Sequence, residues 1–369
     1  MKTIRRLIYG EVLAAFGFVT LGFLALFFFF DFVDEMQDIG RNSVNGAYQF
    51  RHALLYVGLR IPTHLYELMP IAVLIGTIFV MARLAQSSEY TILRTSGLGP
   101  WRALRMLLGL GLVFVVVTFA IGDYVAPLTE RSAQLLKARF QGRITVGQTG
   151  AWLKEKKPGG TYAANVRALS PEGDMRGVRV FEFDNQGFLT AMTQADLARF
   201  TEDDAWTMEK VSRSEFSRPG SDRASVTRTE LPSFRLPTEI SAEMVSVALL
   251  RPDRMGTVDL FQYIQHLEAN GQRAQRYEIE FWRKVFYPLS CVVMVVLALP
   301  FAYLHFRSGG IMAYVFGGVM VGISFFLLNN VFGYIGNLRN WEPWLAAAAP
   351  GLLYVWLSLG AFGWLVLRR

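Results

Sequence analysis

Residues that could do chemistry are few and scattered in this 369-residue chain. His52, His64, His266 and His305 have no histidine at i+4 and no Cys-x-x-Cys companion, so no metal centre is predicted. The lone Cys291 has no second thiol to pair with and reads as a small packing residue. No G-x-x-x-x-G-K-S/T phosphate loop, Ser/His/Asp set or paired-carboxylate pattern stands out. No catalytic residue is therefore assigned, and any ATP-driven work needs a separate subunit. Recognition chemistry is concentrated instead in a polar island, LAQSSEYTILRTSGLGPWRALR, residues 84–105. Ser88 is placed to cap a short helix over about residues 88–96, with Glu89 at the positive end of its dipole. Gly97 ends that helix and Pro100 opens the next. Tyr90, Ile92 and Leu93 make its apolar side, which either lies on lipid or enters a groove on a partner.

The elements around this island are dictated by composition. Hydrophobic residues make up 52% of the chain and charged ones 18%, with the apolar residues gathered in blocks, as in an integral membrane protein. A helix needs roughly 20 apolar residues to cross the hydrocarbon core. Residues 12–30, 62–82, 106–121, 285–304, 311–331 and 344–367 satisfy that length to differing degrees, giving three spans, an insert and three spans. The first block is longer than a signal core and runs into phenylalanines and Asp31 with no small-residue cleavage site, so it reads as a retained span. Basic residues crowd the two ends, the polar island and Arg307, opposed there only by Glu11 and Glu89. By the positive-inside tendency both termini and the short helix are cytoplasmic, and the formal charge of +7 reports topology and not nucleic-acid binding.

The insert, residues 128–256, changes period. In VRVFEF, residues 178–183, Val178 and Val180 alternate with Arg179, Phe181 and Phe183, and Asp184 to Gly187 supply a turn. Further breakers at residues 203–204 and 217–222 separate more short strands, which favours a sandwich or jellyroll built for docking or lipid handling. Residues 257–290 turn helical again, with Leu260, Tyr263, Ile264 and Leu267 on one face, and lead into the fourth span. Arg283 and Lys284 stand where they could meet headgroups or an anionic substrate.

Four stretches in order, FVDEM (32–36), LAQSSEYTILRTSG (84–97), AIGDYVAP (120–127) and GQRAQRYEIEFWRKVFYPLS (271–290), resemble the LptF/LptG permeases of the lipopolysaccharide exporter. The resemblance covers essentially the whole chain. It implies a six-helix membrane protein with an inserted periplasmic all-β jellyroll-like domain. Such a permease pairs with a homologous permease, LptF, and with an LptB ATPase dimer that binds the ATP and Mg. Together they extract lipopolysaccharide from the outer leaflet of the inner membrane and pass it to LptC and LptA. The resemblance makes the short helix the coupling helix, with Glu89 at its acidic position and Tyr90 and Leu93 as apolar anchors on the ATPase. It matches Lys137 to a basic position beyond span 3, with Arg131 nearby, as substrate-binding cations, and it makes spans 1 and 5 lateral gates. Phe27, Phe30 and Phe326 on those spans suit acyl chains.

Relatives carry lysines after span 1 where this chain reads DFVDEMQD. Asp31, Asp34, Glu35 and Asp38 read here as a solvated outer boundary, and Glu67 as a cavity rim. Gly317, Gly318 and Gly322 hint at a packing seam. Two other readings remain at this point: an ABC permease for another lipid or lipoprotein, and a membrane-anchored periplasmic scaffold.

Overall fold

In the computed structural model the structure describes residues 2–40, 42–43, 46–141, 150–170, 173–201, 205–217, 225–241, 244–245, 248, 251–303 and 311–364. His305, Arg307, the last two arginines and the turn clusters at 203–204 and 218–222 lie outside the described residues. The helices are α1 Lys2–Met36, α2 Phe50–Gln86, α3 Glu89–Thr95, α4 Pro100–Ala120, α5 Ala126–Gln141, α6 Thr257–Ala269, α7 Gln275–Phe286, α8 Ser290–Ala298, α9 Ile311–Arg339 and α10 Pro343–Phe362. Strands β1 Asn42–Ser43 and β2 Gly46–Ala47 form a small hairpin. Strands β3 Ala151–Lys157, β4 Gly160–Leu169, β5 Met175–Phe183, β6 Leu189–Thr201, β7 Ala205–Phe216 and β8 Val226–Pro237 form one antiparallel meander in that order.

The chain divides into two compact units. The first comprises Met1–Asp34, Val57–Thr129 and Glu278–Arg369; the second comprises Glu35–Tyr56 and Glu130–Tyr277. The second unit is thus wider than its strands, taking in the β1/β2 hairpin and α6.

Among the described residues, five helices are long and apolar enough to cross a membrane, and a sixth span exists if α7 and α8 are counted as one bent pair. The span expected at 285–304 is therefore not a single rod. The helices meet at 46° around Pro288, which has no amide proton for a helical ladder, and α8 tightens into a 3₁₀ turn at Leu299–Tyr303. A wide π turn, Ile121–Val125, joins α4 to α5.

Helix α2 is the spine of this bundle. Its most apolar window is 83% buried, and close approach is permitted by missing side chains. A Cβ at Gly76 would sit 2.8 Å from the Phe16 backbone of α1, and one at Gly111 would sit 3.0 Å from Val292. Of the three span-5 glycines, Gly318 and Gly322 do pack on α2, against Ile78 and Ile71; Gly317 has open space beside it. Without a water-driven force between helices in lipid, such close van der Waals packing holds spans together. Ile8, Val12, Met81, Leu107, Val295 and Leu299, all nearly inaccessible, join α1, α2, α4, α8 and the 3₁₀ turn in one core, where Cys291 is a buried packing residue.

In the second unit the alternation read from the sequence holds: Val178 and Val180 are fully buried on one face of β5. The Asp184 carboxylate accepts the Gln186 and Phe188 amides, each at 2.9 Å, and so closes the turn into β6. Trp206 on β7 is inaccessible, and its indole N–H donates to the Ile240 carbonyl at 2.8 Å. The Arg213 guanidinium grips Glu182 across the sheet and donates to Thr193 at 3.0 Å. This charge-assisted pairing raises the Arg213 pKa above its usual value.

Candidate coupling helix and lipid-facing sites

Helix α3 begins at Glu89, as its sequence suggests, but Ser88 does not cap it. Ser88 adopts a left-handed conformation (φ 57°), which turns the chain sharply out of α2 and leaves its hydroxyl without a capping bond. A side-chain cap needs an extended backbone at that position. The Ser88 carbonyl still accepts the Thr91 and Ile92 amides. At the other end Gly97 takes φ 98°, while Leu98 and Gly97 donate to the carbonyls of Leu93 and Arg94. That is the glycine-terminated Schellman arrangement, which a side chain with Cβ would strain.

The seven residues of α3 divide between two environments. Glu89 is exposed, and so is Ile92, at 62%. Tyr90 is 2% exposed, and its ring meets Tyr303 edge-on at 5.2 Å. Leu93 packs half-buried on the same core, and the Arg94 guanidinium lies 5.1 Å over the Tyr303 ring. The expectation that Tyr90 faces a partner is thus corrected. Its large ring fills the subunit's own core, and the outward apolar side chain is Ile92. Close to this helix in sequence, Arg83 of α2 pairs with Glu11 of α1 at 2.7 Å.

At the far end of the same two helices lies a polar cluster. One oxygen of Asp31 on α1 receives both Arg60 at 3.0 Å and His64 at 2.7 Å from α2. Phe27 stacks flat on His64 with centroids 5.0 Å apart, and Glu67 lies 3.8 Å from the second ring nitrogen. Asp31 is therefore a partner for α2 and not part of a solvated boundary. The overlooked signal was Arg60 and His64 at i, i+4, one face of one helix. The Glu67 side chain is 44% exposed. Phe30 and Phe326 are exposed at 55% and 40%, on α1 and α9 respectively, so the three aromatic residues singled out from the sequence are distributed over two helices.

Glu35 is also no solvated acid. It is 4% exposed, and its carboxylate accepts Lys137 at 2.9 Å and the Tyr48 hydroxyl at 3.0 Å. Asp38 adds a second carboxylate 3.2 Å from Lys137, whose ammonium lies 4.9 Å over the Tyr56 ring. Burial and the adjoining Glu35 charge raise the Tyr48 phenol above its ordinary pKa. Lys137 is thus caged by one acid in the last turn of α1 and one just beyond it, while Arg131 on the same helix is exposed.

Arg283 and Lys284 do not reach outward. Lys284 is 8% exposed and donates to the Gly122 carbonyl at 2.9 Å, inside the π turn where the regular ladder is interrupted. Arg283 bonds Glu280 at 2.8 Å and the Asn329 carbonyl of α9 at 2.9 Å. Both cations serve the bundle's own backbone, and Tyr287 does likewise by donating to the Glu67 carbonyl at 2.6 Å.

Known proteins are similar to this chain in sequence along its length. Residues 6–368 match the family described as lipopolysaccharide export system permease LptF/LptG. The lipopolysaccharide export system permease protein LptG of Haemophilus influenzae is 27% identical over 372 residues, spanning all of this chain and 99% of that protein. LptG of Escherichia coli K12 is 27% identical over 341 residues, 92% of this chain and 90% of its own length.

Proposed function

This chain belongs to the LptF/LptG family of lipopolysaccharide export permeases, and on that premise we propose how its parts divide the work. It is a multi-pass inner-membrane protein and a permease subunit of the lipopolysaccharide export system. The ends of the chain and α3 face the cytoplasm and the β3 to β8 sheet faces the periplasm, a reading supported by the basic residues flanking α3. The chain works with the homologous permease LptF and a dimer of the ATPase LptB, which holds the ATP and Mg. It lifts lipopolysaccharide from the outer leaflet of the membrane and delivers it through the sheet domain towards LptC and LptA.

The observation that carries the mechanism is the two-sidedness of α3. Glu89 and Ile92 point away from the subunit, whereas Tyr90 is locked within it. A short helix with a buried anchor and an outward acid is suited to take a push from an ATPase groove and pass it inward. Glu89 pairs with a cation of that groove, and Ile92, with the half-buried Leu93 beneath it, supplies the apolar contact. Phe27, Phe30 and Phe326 meet acyl chains. Exposed Arg131 meets a substrate phosphate first, and Lys137 follows by exchanging Glu35 and Asp38 for that phosphate.

Glu89→Ala tests the docking step. Removing one member of a desolvated charge pair typically costs about 2–5 kcal/mol, so ATPase copurification falls by at least about tenfold. Unaltered copurification together with unaltered ATP turnover would overturn the assignment of α3.

A further inference from the structure

Helix α3 is joined by chain to α2 and α4, and those two spans are the obvious routes for any motion it makes. A third engagement lies elsewhere in the chain. Tyr90 and Arg94, one helical turn apart, grip one ring from two directions: Tyr90 edge-on at 5.2 Å and Arg94 from above at 5.1 Å. That ring belongs to Tyr303, 4% exposed, the last residue of the 3₁₀ turn that ends the broken fourth span. Leu299, at the start of that turn, is inaccessible in the same core as Tyr90.

We propose that Tyr303 is the positioning residue through which α3 moves the broken span, so that the push of the ATPase is delivered to α8 as well as to α2 and α4. The proposal rests on α3 being the ATPase-docking helix. Three observations favour α8 as a moving part over a passive neighbour. It is short, nine residues. It is bent 46° from α7 at Pro288, where turn bonds from the Ser290, Cys291 and Val292 amides to the carbonyls three residues back replace the regular ladder. Its far end is a 3₁₀ turn, whose hydrogen-bond geometry is poorer than that of an α-helix. α2, by contrast, is one 37-residue helix through Pro62 and Pro70, and its apolar window is 83% buried, so neighbours hold it along its length. Arg94 is exposed and Tyr90 is not, so one end of the relay can sense a partner while the other is held inside.

The test uses the complete transporter, copurified from its membrane with its ATPase and second permease and reconstituted in vesicles containing lipopolysaccharide. The readout is lipopolysaccharide released per ATP hydrolysed. Tyr303→Phe keeps the ring and retains the wild-type ratio. Tyr303→Ala leaves ATPase copurification intact and ATP turnover within about twofold, but lowers the ratio by at least about fivefold, the lower end of ordinary coupling free energies. Should the alanine variant fail to assemble, Tyr303→Leu, which keeps apolar bulk without a ring, is read by the same ratio. An unchanged ratio in the leucine or alanine variant overturns the proposal. So does a proportional fall of both activities, which would mark Tyr303 as mere packing. Glu89→Ala in parallel separates the two ideas: if it alone is silent, docking by α3 fails, and if it alone is harmful, only the Tyr303 relay fails.

Discussion

Helices α1 and α2 are almost the same length and nearly equally apolar, with mean hydropathies of 2.5 and 2.1 in their richest windows, yet those windows are 11% and 83% buried. The difference teaches that hydropathy reports the solvent a helix can enter and says nothing of its neighbours. α2 is held by continuous packing. α1 is held at intervals: Tyr9 donates to the Met106 carbonyl, Glu11 pairs with Arg83, Phe16 rests on Gly76, and Asp31 binds Arg60 and His64. A helix fixed by spaced attachments keeps most of its flank available for lipid or for another permease.

Substitutions can break or sharpen this contrast. The largest effect belongs to α2: Leu74→Ala, at an inaccessible site, lowers stability by about 2–4 kcal/mol through the cavity it leaves. Scanning fluorimetry in detergent checks this, and a melting temperature equal to wild type would remove α2 from the role of spine. Next comes Asp31→Ala, which takes the shared acceptor from Arg60 and His64. It costs about 1–3 kcal/mol, the penalty for stranding partly buried donors. The same melt, run beside Asp31→Asn, tells whether charge or hydrogen bonding dominates, since the amide preserves an acceptor. The smallest effect is Leu21→Ala on α1, where the side chain is 69% exposed: stability stays within about 0.5 kcal/mol. A loss as large as that of Leu74→Ala would abolish the distinction between the two helices.

Some of this was legible in the residues alone. Spans were visible because crossing a bilayer imposes a length that short-range patterns cannot imitate. The strands of the insert were visible because Val178 and Val180 alternate with polar neighbours around an Asp184 turn. Gly97 and Pro100 marked the end of α3 and the start of α4 by local backbone chemistry. What escaped was set by distant neighbours. Ser88 has the chemistry of a cap but not the dihedral angles, which the abrupt exit from α2 imposes. Tyr90 lies on a recognisable apolar side, but the partner for that side is Tyr303, more than two hundred residues on. Asp31 and Glu35 looked like members of one acidic run. Each finds a separate cation, Arg60 and Lys137 respectively, because α1 brings successive carboxylates to different neighbours.

The bond between Glu35 and Lys137 joins residues 102 positions apart in the chain. A ribosome adding about 5–20 residues each second needs about 5–20 s to supply the lysine after the acid has been made. For that interval the carboxylate must remain wet, and only the arrival of its cation lets it become dry. The order of synthesis therefore delays the closure of this corner of the protein until the third apolar segment has left the ribosome, and a chain arrested before residue 137 would display Glu35 to water.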